Sequence, residues 1–260
     1  MKKLIYTLCL LLLLCACKEE NTDSRSTQTK NEVIVIGTIH GKHVRSKKYS
    51  IEVLKNLLRS FKPDLILAEI PPDRIEAAMI EFLEYDTITE PRVAIFPEYV
   101  KVVFPLTKEM DFEIIATAGW TKEMADKRRA QLTAIRTDSL RRGDWLEFRR
   151  ASAKSDSLIR AGGNDDPYWI HTDEYDEAVE VWASTYNRLF NEELGSGGWD
   201  NINSSHYEYI AKALDDHQNQ GLRIVVMYGS GHKGWFLRKL REREDIILGE
   251  VAPFLDQISN

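Results

Sequence analysis

Three side chains capable of acid–base or metal-ligand chemistry follow three apolar runs. His40 closes Gly37-Thr38-Ile39-His40 after Val33–Ile36, Glu69 follows Leu65–Ala68, and His232 closes Gly229-Ser230-Gly231-His232 after Ile224–Tyr228. An open α/β sheet places its ligands just beyond the carboxyl ends of its strands, so parallel neighbours would bring these three residues to one edge. Two imidazoles and a carboxylate are enough ligands for Zn²⁺, Mn²⁺ or Co²⁺ with positions left open for water. A metal held there would lower the pKa of that water and polarise a carbonyl. In the plainer alternative, each His is a hydrogen-bonded loop residue and Glu69 pairs with Arg74. Recurrence at equivalent positions, twice within a Gly-x-x-His setting, favours a shared site. His43, three residues beyond His40, is either a supporting or a solvent-facing group.

Gly229-Ser230-Gly231-His232-Lys233-Gly234 also matches G-x-G-x-x-G, with Glu250 ending the next strand. That is the layout of a dinucleotide fingerprint. Only ten residues follow Glu250, too few for the third strand of such a unit. The imidazole would also occupy a position to which that fingerprint assigns no task.

The elements that must position these groups read as an α/β chain. Val33–Ile36, Leu65–Ala68, Glu113–Ala116, Ile224–Tyr228 and Ile246–Leu248 are continuous apolar runs, as in strands buried on both faces of a mostly parallel sheet. Tyr49–Phe61, Arg74–Glu84, Tyr207–His217 and Trp235–Arg243 show helical spacing. Their alternation predicts a three-layer α/β/α fold over residues 32–260. A helical insertion at about 119–220 interrupts it. Residues 119–161 carry a net charge of +5 and residues 162–220 a net of −11, with Gly162-Gly163-Asn164 as the turn between them. Complementary faces of a helical hairpin explain this division; a basic lid over an anionic substrate is the sharper alternative. Trp182, Tyr186 and Phe190, spaced by four, predict a packed stripe.

All three cysteines, Cys9, Cys15 and Cys17, lie at the amino end, which excludes a disulfide framework, a cysteine zinc site and a catalytic thiol from the folded part. Lys2 and Lys3 precede an apolar run, Leu4 to Leu14, that is too short to cross a bilayer as a helix and reads as a signal peptide. Leu14-Cys15-Ala16-Cys17 resembles a bacterial lipobox. Residues 1–16 are then a cleaved signal, Cys17 is acylated, and residues 17–31 form a tether reaching roughly 20 Å. The chain would be anchored to a lipid bilayer through Cys17 without spanning it. Lys18-Glu19-Glu20 is similar to the export signal of Bacteroidetes-type lipoproteins, which implies an outer-membrane location exposed at the cell surface. Loss of residues 1–16 moves the formal charge from −6 to −8, a field that disfavours nucleic acid.

Gly37-Thr38-Ile39-His40, then Lys62-Pro63-Asp64, Glu69 and Arg74, then Gly229-Ser230-Gly231-His232 together resemble the TraB/PrgY–Tiki family. Its wider group includes erythromycin-esterase-like enzymes and haem-binding ChaN-type lipoproteins. The resemblance covers about residues 32–75 and 220–245. It implies an α/β fold and, by the Tiki branch, metal-dependent peptidase activity. His40, Glu69 and His232 would then be metal ligands or acid–base groups, and Arg74 would bind an anionic group or orient Glu69. Where TraB-type members tend to carry an Arg at a helix start, this chain reads Asn201-Ile202-Asn203-Ser204-Ser205-His206. His206 is either a substitute polar group or a solvent-facing one. The leading expectation is a metal-dependent hydrolase of peptide or small-molecule substrates, with Glu69 as third ligand or general base. Its rivals are a metal-free esterase-like enzyme and a lipoprotein that binds haem or another ligand without catalysis.

Overall fold

The computed structural model describes residues 29–259. Five strands, β1 (Asn31–Thr38), β2 (Leu65–Ala68), β3 (Glu113–Ala116), β4 (Arg223–Gly229) and β5 (Ile246–Leu248), form one sheet in the order β3-β2-β4-β1-β5. Every pairing is parallel. Helices cover both faces, as the unbroken apolar runs require. On one face Ile34, Ile36, Ile66 and Met227 pack with the helices Ile51–Phe61 and Ile75–Tyr85. On the other, Val33, Val35, Leu67, Val226 and Tyr228 pack with the helices Trp199–Asp216 and Ser230–Leu240. The chain is therefore a three-layer α/β/α domain.

Local chemistry sets the helix ends. Ser50 starts the helix Ile51–Phe61 by accepting a hydrogen bond from the Val53 N–H at 3.2 Å, and Lys62 stops it in the left-handed conformation. Leu54, Leu57, Leu58 and Phe61 on its inner stripe are completely buried, each worth roughly 1.5–3 kcal/mol. Thr121 and Thr172 cap the helices Lys122–Thr137 and Asp173–Tyr186 in the same way.

Between β3 and β4 the described residues are helical, without a strand, and Gly163 (φ 98°) makes the turn after the helix Arg142–Gly162. That basic helix packs against the acidic Asp173–Tyr186 helix, and Arg188 reaches across to Glu147. Arg141 pairs with Glu193 at 2.6 Å. Complementary hairpin faces are what the charge division predicts. Tyr186 and Phe190 are buried with Ile135 and Leu194, and Trp182 packs against them.

Three boundaries differ from the periodicity. The helix before β4 begins at Trp199, and the helix after β4 begins at Ser230 with no intervening loop. β1 begins at Asn31, and Thr29 bridges Gln220, so the last residues of the expected tether already belong to the sheet edge. The signal peptide and Cys17 lie outside the described residues. Among those described, no helix is long and apolar enough to cross a membrane.

Candidate active site

Register places the chemistry. Thr38 lies opposite Gly229 and Ala68 opposite Met227, so His40, Glu69 and His232 all emerge at the carboxyl edge of the adjacent strands β1, β2 and β4. His40 takes a left-handed backbone (φ 49°), a conformation uncommon for non-glycine residues and one that clusters at functional positions. Its ring lies against the Gly229 backbone. A Cβ at Gly229 would stand 2.4 Å from His40 Nε2, so this position demands glycine for close approach.

His40 Nδ1–H donates to Glu98 Oε1 at 2.6 Å, and Thr38 Oγ1 donates to the same oxygen at 2.9 Å. Glu98 is fully buried, and its Oε2 has no hydrogen-bond partner. Burial opposes charge on both partners. The Glu98 bond and the charges of Glu69 and Glu98 nonetheless raise the His40 pKa. The His40 and Thr38 bonds keep the Glu98 carboxyl below its ordinary range. The pair is therefore disposed toward imidazolium and carboxylate.

Glu69 is positioned by its own backbone and by β4. Its N–H donates to the Tyr99 hydroxyl at 2.6 Å, and that hydroxyl donates to the Met227 carbonyl at 2.6 Å. Glu69 Oε2 accepts the Gly229 N–H at 2.8 Å. Burial raises its pKa, against the opposing His40 charge and the Gly229 bond. His232, in the first turn of the helix Ser230–Leu240, donates Nδ1–H to Asn203 Oδ1 at 2.6 Å. Its Nε2 is thereby left as an acceptor, 3.9 Å from Glu69 Oε1. Trp199 stacks on its ring with centroids 4.6 Å apart. Burial, with added repulsion from His206, His40 and Arg128, drives the His232 pKa well down, so the ring is neutral near pH 7.

A cleft of about 320 Å³ opens over Glu69, His206 and His232, with Phe96, Trp120 and Trp199 among its walls. His206 is buried rather than solvent-facing; its Nδ1 accepts the Gly119 N–H at 2.9 Å, and burial lowers its pKa to about 4. His40 does not line this cleft. It borders a separate open depression with Lys42 and Arg45. His43 is structural: Nδ1–H donates to the Tyr49 carbonyl at 2.7 Å and Nε2 accepts the Ile39 N–H at 3.0 Å. Arg74 stands apart from Glu69, its guanidinium 3.0 Å from Asp73 and 3.8 Å from Glu90.

Glu98, Asn203, Arg92 and Arg128 belong to the site region but were not anticipated. Glu98 had one signal, a lone carboxylate inside the apolar stretch Ile95–Val100. Arg128 lay within the basic half of the insertion. Asn203 and Arg92 had none.

Among the described residues, no group of three His, Cys, Asp or Glu side chains could hold a metal ion. His40 turns Nδ1 to Glu98 and packs Nε2 on the Gly229 backbone, while His232 Nε2 and Glu69 Oε1 both face the cleft side of the sheet edge 3.9 Å apart. Comparison with family models, with curated proteins and with solved structures finds no match for this chain.

Proposed function

We propose that this domain is a hydrolase that cleaves an ester or amide by acid–base activation of water at Glu69 and His232. The 3.9 Å separation of Glu69 Oε1 and His232 Nε2 carries the reading. It is too long for a direct bond, yet one water oxygen about 2.8 Å from each would span it. Both atoms are acceptors, so such a water donates both hydrogens to the protein and turns its lone pairs toward the cleft. Attack then forms the new C–O bond while Glu69, made a stronger base by burial, takes the proton. The C–O or C–N bond of the tetrahedral intermediate breaks as Glu69 returns the proton to the leaving group. His40, which does not line the cleft, supplies positive charge that stabilises the carboxylate form between cycles. Environments that push neighbouring pKa values apart, as at His40 and His232, mark acid–base sites.

One observation favours a second reading. Both His40 and His232 have Nδ1–H anchored by a protein acceptor, the arrangement that orients metal-ligating imidazoles. The TraB/Tiki resemblance points the same way. Activity against a panel of aryl esters and peptide amides, with and without chelator, separates the readings. The acid–base reading expects turnover that survives chelation and is lost in Glu69→Gln and His232→Ala. Loss on chelation with recovery on adding Mn²⁺, Co²⁺ or Zn²⁺ would instead establish the metal reading. An anchor at Cys17 would hold this activity at a membrane surface, and mass analysis of the amino-terminal peptide tests that attachment.

A further inference from the structure

We propose that the cleft selects substrates bearing an anionic group, a carboxylate or a phosphate, gripped between Arg92 and Arg128 beside a flat apolar portion. The inference takes its place in the cleft from the hydrolase reading, but it rests on different residues.

Arg92 comes from the segment after the helix Ile75–Tyr85, and Arg128 from the helix Lys122–Thr137 of the insertion. Both line the 320 Å³ cleft that contains Glu69 and His232. Among the described residues, neither guanidinium is in an ion pair, whereas the neighbouring Arg141 and Arg188 each have a carboxylate partner. Arg92 Nε is buried and has no hydrogen-bond partner. Arg128 uses Nε to donate to the Tyr186 hydroxyl at 3.1 Å, and its guanidinium lies over the rings of Trp120 and Tyr186 at 5.8 and 5.7 Å.

A partly desolvated cation without a paired carboxylate is costly, and two of them facing the single carboxylate of Glu69 leave the cleft with an excess of positive charge that an anion would balance. The guanidinium fork matches carboxylate and phosphate oxygens in pairs, and its stacking on aromatic faces fixes the direction in which it points. Among the described residues Glu69 is the only acidic one lining the cleft, which is therefore locally cationic in a chain of formal charge −6. Both guanidinium charges already act on the reacting groups, Arg92 on Glu69 and Arg128 on His232. Trp120 and Trp199 supply the apolar walls. The volume lies at the lower end for small-molecule sites, which sets the occupant as a small molecule or one terminal group of a larger one.

Tryptophan fluorescence of the full-length protein reads this directly, because two of its six tryptophans line the cleft. The probes are phenylacetate, phenyl phosphate and the neutral phenylacetamide at constant ionic strength. Saturable binding of at least one anion, roughly tenfold or more tighter than the amide, is expected. The preferred anion separates carboxylate from phosphate recognition. Arg92→Gln and Arg128→Gln should each weaken anion binding about tenfold and erase the preference over the amide. Arg92→Gln carries the decision if Arg128→Gln loses its fold with the Tyr186 bond, since circular dichroism can verify either variant. Equal binding of amide and anions, no anion binding by the parent protein, or unchanged binding in a folded Arg92→Gln overturns the proposal. A protein that binds the anions yet cleaves no ester or amide refutes the hydrolase reading alone; one that cleaves neutral esters but ignores the anions refutes the clamp alone.

Discussion

Glu98→Gln keeps the shape of a fully buried side chain and removes its charge, which isolates what that charge does to His40. A hydrogen bond to a charged group is worth about 1.5–3 kcal/mol. The His40 side chain is 40% exposed, so solvent screening brings this down to about 1 kcal/mol. That is roughly a fivefold change in its protonation equilibrium toward the neutral ring. In the parent protein the folded pKa of His40 lies above the ordinary 6.5. Its contribution to stability is then fully present below that pH and is lost as pH rises through the folded value. In Glu98→Gln, burial, the largest influence on His40, is opposed chiefly by the charge of Glu69. The pKa falls, and with it the extra stability on the acid side. Titration of the His40 ring proton by NMR, together with urea unfolding on either side of pH 6.5, measures both effects. If His40 titrates at the same pH in the two proteins, the coupling across the 2.6 Å bond is not what sets its charge.

Gly229→Ala puts a methyl 2.4 Å from His40 Nε2. It should cost about 1–3 kcal/mol in unfolding free energy and displace the His40 ring, visible as a changed ring-proton shift. Asn203→Leu leaves the buried His232 Nδ1–H without its acceptor. A loss of about 1–3 kcal/mol and a mixture of ring tautomers in the nitrogen spectrum are expected, with activity falling more than stability. Lys233 is almost fully buried and donates to Asp176 at 2.6 Å. Lys233→Met alone should cost about 3–5 kcal/mol by stranding the carboxylate, and adding Asp176→Leu should recover much of that in denaturant unfolding.

Continuous apolar runs marked the five described strands; burial on both faces explains this for β1, β2 and β4, whereas the edge strands β3 and β5 are only partly covered and Ile247 is exposed. Strand ends then located His40, Glu69 and His232, since a parallel sheet turns sequence position into a shared edge. Helix starts were less legible. Ser230–Leu240 contains Gly231 and Gly234, poor helix formers, and a Cβ at Gly234 would stand 2.7 Å from Asp176 Cγ. The Lys233–Asp176 contact keeps glycine there, and packing overrides propensity. Residues 86–112 carry no clear period because turns around Pro91 lead into a short helix over 97–106 that is widened at Tyr99–Val103 and holds Pro105 inside it, so Glu98 and Arg92 stayed hidden. Arg74 shows the limit of chain proximity: five residues after Glu69, it turns to Asp73 and Glu90.

Thr29 meets Gln220 at the amino ends of β1 and β4, while the cleft sits beyond their carboxyl ends. The eight residues of β1 separate these poles by about 25 Å. The residues before Thr29 thus join the domain at the pole opposite the cleft. An attachment made through those residues would therefore join the domain away from the cleft and leave its mouth unobstructed by the joining chain.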